Sequence, residues 1–355
     1  MSEIAGLLSR HGHTVRVLER HSDEATRGQA ARALVAGGAD PDEVDAEVSE
    51  FQPDVVHAHN LHPLFGWRAL AAARARGVRT VLHVHNFRLF CAIAVAYRDG
   101  APCHRCRSTN TWPGLRLRCR GSLSEAAVYA LGLHRQQPRL FQHTDRFVVL
   151  SEGHGAQLKE LGLPDERTVT LPNFIPQDDV AATSPARDGR YALVSGRLVP
   201  EKGFDTAIAA ARNARVPLVV AGEGPDEPRL RRLAGDYDAR FCGQLTPEEL
   251  AEARRSAAVV LVPSRCEEAC PYSVLDALAA GIPLLVSDRG GLPEMVDAEA
   301  VLPADDELAW TAALGAAWRD PGGRAEAGNQ GLARAREKFG ERRFYNRLLE
   351  VYGQG

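Results

Sequence analysis

Short apolar runs alternate with helix-patterned segments along two stretches of the chain. Ile4, Leu7 and Leu8 mark an amphipathic helix, and "HGH" leads from it into a predicted strand, "TVRVLER" (14–20). Residues 22–50 are polar, alanine-rich and weakly patterned, and are predicted to be helical. "DVVHAH" (54–59) has the continuous apolar character of a buried strand; a helix (66–76), the strand "RTVLHVH" (79–85), an irregular stretch (87–122), a helix (123–135) and the strand "RFVVLS" (146–151) follow. Strands alternating with helices predict a parallel, doubly wound sheet.

A Pro- and Asp-rich stretch (171–190) reads as a linker before a second set. "YALVSG" (191–196), "VPLVVAG" (216–222), "AVVLVPS" (258–264) and "IPLLVSD" (282–288) are predicted strands, each followed by a turn and a helical segment. A last helix over 331–353 offers Leu332, Phe339, Phe344, Leu348 and Val351 as its buried face. The expected fold class is α/β, with two doubly wound Rossmann-like domains facing across a cleft. Ligands of such sheets bind outside the carboxyl ends of the strands. The expected division is 1–172, 173–335 and a C-terminal helix, 336–355. The chain opens with the helix that ought to follow a first strand and glycine turn, so the first sheet is expected to lack a strand or the start to be misplaced.

Composition narrows the classes. A length of 355 residues suits two domains, and a net charge of −3 gives no field that would draw the chain to nucleic acid. Lysine occurs only at Lys159, Lys202 and Lys338, a bias toward arginine that suggests GC-rich, bacterial coding. No apolar run is long enough for a membrane span and no secretory pattern opens the chain, so a cytoplasmic location with reduced cysteines is expected.

The candidate chemistry sits at predicted strand ends. "SGRLVPEKG" (195–203) puts Arg197 and Lys202 in one loop before a helix, cations suited to a diphosphate; the plainer reading is a solvated loop. "AGEGPD" (221–226) lacks the third glycine of a dinucleotide fingerprint. In "SDRGGLPEMV" (287–296), Gly290 and Gly291 precede a helix that Pro293 can start, leaving backbone free to approach a phosphate or simply to turn. "SRCEEACPYSVLDALAAG" (264–281) places Glu268 in a loop and Asp276 on the second helical turn, where carboxylates accept hydrogen bonds from sugar hydroxyls. A metal set of Cys266, Cys270, Glu267 and Glu268, and a solvated acidic loop, are the alternatives.

In this order and spacing, "SGRLVPEKG", "AGEGP" and "PSRCEEACPYSVLDALAAGIPLLVSDRGGLPE" resemble the nucleotide-sugar domain of the GT-B glycosyltransferases of family 4, the large retaining group. The resemblance implies that Glu268 contacts the donor sugar and that Asp276, which stands where the family has a second Glu, holds the ribose. It implies that Arg197 and Lys202 meet the diphosphate beside Gly196, that Gly290, Gly291 and Leu292 face sugar and phosphate, and that Gly243 and Gln244 lie near the base. His85 falls at the family's active-site histidine, with His57, His59, His62 and His83 as rivals. The implied activity is retaining transfer from a nucleoside-diphosphate sugar, UDP or GDP type, to a hydroxyl acceptor, with no cofactor required for the chemistry. A sugar-nucleotide epimerase and a non-catalytic sugar-nucleotide-binding subunit are the alternatives.

Residues 87–122 carry Cys91, Cys103, Cys106 and Cys119, two of them as Cys-x-x-Cys. Four thiolates can close a structural zinc site; free buried cysteines or a disulfide are the other readings. Arg105, Arg107, Arg116, Arg118 and Arg120 with Trp112 make the loop basic and aromatic, suited to a phosphate-bearing acceptor, to peripheral contact with an anionic membrane, or merely to solvent.

Overall fold

The computed structural model describes residues 2–21 and 25–353 and divides the chain into two compact units. Unit 1 holds residues up to Ala96, Cys103–Leu171 and the chain from Tyr345; unit 2 holds Tyr97–Pro102 and Pro172–Phe344.

In unit 1, α1 (Ser2–Arg10), α2 (Arg27–Ala36) and α3 (Pro41–Phe51) precede β1 (Val55–His59), α4 (Gly66–Ala75) and β2 (Arg79–Val84). Within 87–122 the chain forms only the two-residue strands β3 (Tyr97–Arg98) and β4 (Ala101–Pro102), which belong to unit 2, and the short helix α5 (Trp112–Arg116), besides one 3-10 turn. Then come α6 (Leu123–Gln142), β5 (Arg146–Val149), α7 (Glu152–Leu161) and β6 (Thr168–Thr170). Residues 22–24 of the segment expected to be helical lie outside the described residues. The sheet is parallel, in the order β1-β2-β5-β6. Its core gathers Leu70, Leu82, Phe87, Leu140, Phe147 and Leu158, none more than 3% exposed.

The predicted strand at 14–20 does not form. β1 is the edge of the sheet. Thr14–Leu18 and Val55, His57 and His59 of β1 line one groove of about 590 Å³. A ladder needs a partner for each backbone N–H and C=O, and among the described residues no strand pairs with this segment. It is tied down by side chains instead, Arg16 reaching Glu47 at 3.0 Å and Glu50 at 3.2 Å on α3.

In unit 2, β7 (Ala192–Ser195), α8 (Phe204–Ala214), β8 (Leu218–Ala221), α9 (Glu227–Ala234) and β9 (Ala239–Phe241) lead to α10 (Pro247–Arg255) and β10 (Val259–Val262). After these come α11 (Tyr272–Ala279), β11 (Leu284–Ser287), α12 (Leu292–Met295), β12 (Val301–Leu302), α13 (Glu307–Arg319) and α14 (Pro321–Lys338), and then α15 (Glu341–Tyr352), which belongs to unit 1 from Tyr345 on. Six parallel strands run β12-β11-β10-β7-β8-β9. The central ones are almost wholly apolar, as suits strands covered by helices on both faces. The chain winds outward from β7 to β9 and then resumes on the other side at β10, so the order reverses between β7 and β10.

The expected linker is ordered. Phe174 and Ile175 are 4% exposed, and Phe174 packs on Phe344 with ring centroids 4.5 Å apart. The expected last helix is two, α14 and α15, interrupted at Phe339 and Gly340. A side chain on Gly340 would meet the Arg336 carbonyl at 2.4 Å, so that close turn excludes one. The five residues assigned to the buried face are buried, from Leu348 at 0% to Phe339 at 5%.

Candidate active site

At a point where strand order reverses, the loops leaving two neighbouring strands part and open a crevice. Here those loops follow β7 and β10. The β7 loop carries Gly196, Arg197 and Lys202; the β10 loop carries Ser264, Cys266, Glu268 and Cys270. Lys202 Nζ donates to Glu268 Oε1 in a close ion pair, and Ser264 Oγ donates to the same oxygen at 2.7 Å. Burial acts to lower the Lys202 pKa, but the charge and hydrogen bond of Glu268 outweigh it and hold the ammonium above its usual range. Glu201, in the same turn, anchors the β10 loop by accepting the N–H of Arg265 at 2.8 Å through its carbonyl. Arg197 is exposed and lies 3.6 Å from the Glu201 carboxylate.

The glycines bring these loops together. A Cβ on Gly222 would meet the Gly196 carbonyl at 1.9 Å, and one on Gly203 the Pro263 carbonyl at 2.0 Å. Gly290 has φ +58° and lies so close to the β10 loop that a Cβ would meet the Glu268 carbonyl at 2.2 Å. Gly291 N–H donates to that carbonyl at 2.6 Å. The Gly290–Gly291 turn therefore positions Glu268, whatever else its backbone faces. Leu292 is fully buried and starts α12. Gly243 accepts the Gly222 N–H at 2.7 Å, and the Gln244 N–H reaches the Glu223 carboxylate at 3.3 Å.

Asp276 lies on α11, where Arg254 of α10 donates to its Oδ2 at 2.8 Å. Burial raises the Asp276 carboxyl, and the opposing charge of Arg254 does not cancel that. Arg254, 9% exposed, is a partner the sequence reading missed, as is Ser264. Ser264 had a signal in its place two residues past a strand; Arg254 had none, since nothing in a charged helix tells which arginine turns inward. Cys266 and Cys270 are buried, and burial pushes both thiols up to about 12, the state of small packing residues.

In unit 1, the pairing of His59 with His83 brings His57, His59, His83 and His85 into one array. Ring centroids lie 4.5 Å apart for His57–His59 and His83–His85, and 5.1 Å for His59–His85. His59 Nδ1 and His85 Nε2 share a hydrogen bond of 2.8 Å. Burial lowers His85 to about 4, so its ring is neutral near pH 7. His62 is not stacked in the array and is lowered to about 4, again by burial.

None of the four loop cysteines is in a disulfide. Cys91 accepts hydrogen bonds from the backbone of Ala96, Ile93 and Ala94, and Cys106 from Gly114. Such N–H···S contacts suit thiolate ligands. Burial raises both thiols, Cys106 to about 11, and the charges of the neighbouring cysteines add to this. Among the described residues, the group of His, Cys, Asp or Glu ligand atoms gathered within 4.8 Å of one another is His57, His59 and His83. Neither the four loop cysteines nor Cys266, Cys270 and the adjacent glutamates form such a group.

The profile "Glycosyltransferase Family 4" matches residues 1–179, and "Glycosyl transferases group 1" matches 177–333. A GDP-mannose-dependent alpha-mannosyltransferase of Mycobacterium tuberculosis is 30% identical over 253 residues, 69% of this chain and 58% of that protein. A phosphatidyl-myo-inositol mannosyltransferase of Mycolicibacterium smegmatis is 34% identical over 176 residues, 44% of each. The chain thus spans about half the length of these curated relatives. Among solved structures, sucrose-phosphate synthase from Thermosynechococcus elongatus superposes with a TM-score of 0.71 at 17% identity, over 99% of this chain and 91% of that one. Anabaena HepE, solved with UDP-glucose, superposes with a TM-score of 0.63 at 16% identity, over 99% and 88%.

Proposed function

The chain belongs to glycosyltransferase family 4 and has the GT-B fold, and from that premise we propose that it transfers a sugar from a nucleoside-diphosphate donor to a hydroxyl acceptor with retention. The observation that carries the reading is the convergence of Lys202, Glu268 and Ser264 where the strand order of unit 2 reverses. Charge develops on the departing diphosphate, and preorganised cations and N–H donors favour that state. Lys202 is kept charged by Glu268, Arg197 stands exposed in the same turn, and both are the cations proposed for the diphosphate. Glu268, fixed by three loops, accepts from sugar hydroxyls. Asp276, oriented by Arg254, accepts from the ribose, and the Gly243–Gln244 turn lies beside the base. In unit 1, His85 is the residue proposed to act on a sugar. Its neutral ring donates from one nitrogen and accepts at the other, so it suits a sugar hydroxyl. The transfer proposed calls for no cofactor.

Zinc held by Cys91, Cys103, Cys106 and Cys119 would serve to fold their loop. Trp112, 73% exposed, and the exposed Arg105, Arg107, Arg116 and Arg118 suit contact with an anionic membrane face or a phosphate-bearing acceptor. Among the described residues, no helix is long and apolar enough to cross a membrane.

Incubation with a panel of UDP- and GDP-sugars, with and without hydroxyl acceptors, tests the reading by mass spectrometry. Acceptor-dependent release of the nucleoside diphosphate, with a glycosylated product, is expected. Nucleotide binding without release would instead favour the non-catalytic binding subunit, and conversion of one sugar nucleotide into another would favour an epimerase.

A further inference from the structure

The histidine array has a feature that a donor-sugar site does not require. His57 and His59 alternate along β1, and alternate residues of a strand share a face. The register His59↔His83 sets His83 beside them on β2. His83 is 1% exposed, and neither of its ring nitrogens has a hydrogen-bond partner; His57 Nε2 is likewise buried and unpartnered. Buried polar atoms without partners are rare and destabilising. Three on adjacent rings, all within one cluster, call for a ligand.

The cluster has the chemistry of a metal site. One nitrogen from each of His57, His59 and His83 lies within 4.8 Å of the others. Burial holds all three rings well below the ordinary histidine range, His57 at about 3, so each is neutral and offers a lone pair near pH 7. Two of the three rings already have one nitrogen engaged, and His83 has neither. His57 Nδ1 lies 2.8 Å from the Tyr352 hydroxyl, and His59 Nδ1 lies 2.8 Å from His85 Nε2. Metal-bound imidazoles characteristically donate their second N–H in this way, which fixes tautomer and ring orientation. The groove of about 590 Å³ beside β1 is lined by His57, His59 and Tyr352, and gives an ion a route in.

We propose that His57, His59 and His83 bind a divalent first-row transition metal ion of the zinc, cobalt or nickel type. Three imidazoles leave a fourth position open, and the all-nitrogen set excludes calcium and magnesium, which take oxygen ligands. The site joins the edge strand β1 to β2. It rests on unit 1 alone and holds whether or not the chain transfers sugars.

Cobalt(II) is the probe, added to chelator-treated full-length protein. Thiolate-bound cobalt shows an intense sulfur charge-transfer absorption that imidazole-bound cobalt lacks, so the cysteine loop is told apart directly. In a Cys103→Ser/Cys106→Ser protein we expect one cobalt per chain without that absorption, and a raised melting temperature with the metal. His57→Gln and, separately, His83→Gln should each lower occupancy at least tenfold at the same free cobalt. His83 is fully enclosed; if its variant does not fold, His57→Gln, on the groove wall, decides. Absence of cobalt from the cysteine-substituted protein, or undiminished occupancy in folded His57→Gln, would overturn the site.

Discussion

Lys202 and Glu268, sixty-six residues apart in the chain, close on each other as an ion pair between the loops of β7 and β10. Glu268 keeps Lys202 charged and each holds the other in place, so the proposed cation for the diphosphate and the proposed acceptor for the sugar are one unit. Breaking a buried pair from one side leaves an uncompensated charge. Lys202→Ala should therefore lower stability by about 2 kcal/mol and transfer by about a hundredfold. Arg197→Ala removes an exposed cation and should lower transfer similarly, while stability changes by less than about 0.5 kcal/mol. Denaturant melts and donor turnover on both variants check this. Equal stabilities would show that the ion pair does not hold the loops.

Asp276 is tied to Arg254, and this complicates the obvious test of the ribose contact. Asp276→Ala strands an enclosed guanidinium, so about 1–3 kcal/mol of stability should go with it. Arg254→Met/Asp276→Ala removes both charges and should recover most of that loss. Calorimetry with the free nucleoside diphosphate then separates the roles. Affinity should stay low in the stable double variant. Affinity restored to the unsubstituted level would make Asp276 a partner of Arg254 and nothing more.

Gly290 approaches the Glu268 backbone more closely than any side chain permits. Gly290→Ala should cost about 1–3 kcal/mol from strain at positive φ, displace Glu268 and lower kcat. Gly243→Ala is the control. Its φ is also positive, at +68°, but the new methyl would meet only the Glu223 carboxylate, at 3.5 Å. Its loss should be near 1 kcal/mol, with kcat changed less. Equal kcat in the two variants would remove the positioning role of Gly290.

The second unit was readable in the sequence because its strands are continuous apolar runs and each ends in a turn that carries the chemistry. Arg197, Lys202, Glu268 and Asp276 were found from their places in those turns. What the turns touch was not readable. The Lys202–Glu268 pair depends on strand order, and strand order is set by packing between distant segments. β6, β9 and β12 have two or three residues each, too few for a period to show. The false strand at 14–20 has the right composition for one, but pairing, which composition does not report, is missing. Among the histidines the sequence singled out His85 and treated its neighbours as rivals; the register of β1 with β2 makes four of them one array.

For the cysteine loop, protein purified without added metal should carry about one zinc per chain beyond any zinc held by the histidines, and Cys106→Ser should lose it. Donor affinity should persist in that variant, because Lys202, Glu268 and Asp276 belong to unit 2. Full zinc content in Cys106→Ser would show that the thiols are not its ligands.

The buried histidines also set a pH dependence. His62 is lowered by burial from 6.5 to about 4, and His154, 1% exposed with both ring nitrogens unpartnered, from 6.5 to about 3. In the unfolded chain both bind a proton near 6.5; in the folded chain they do not until pH 3–4. Between those limits the unfolded state holds more protons, so stability must fall as pH falls. Above about pH 7.5 the rings are neutral in both states and contribute no slope. Each should remove up to about 1.4 kcal/mol per pH unit once pH is below its unfolded value. Comparing pH 7 with pH 5 isolates the histidines, because most carboxylates still keep their charge there. Urea melts of metal-free protein at pH 8, 7, 6 and 5 should give a plateau and then a decline. His154→Leu removes one titrating ring without adding a polar group, so its decline should be shallower than that of the unsubstituted chain. An identical slope in His154→Leu would mean that the folded protein already admits a proton at that ring, and that His154 is not sealed in the core.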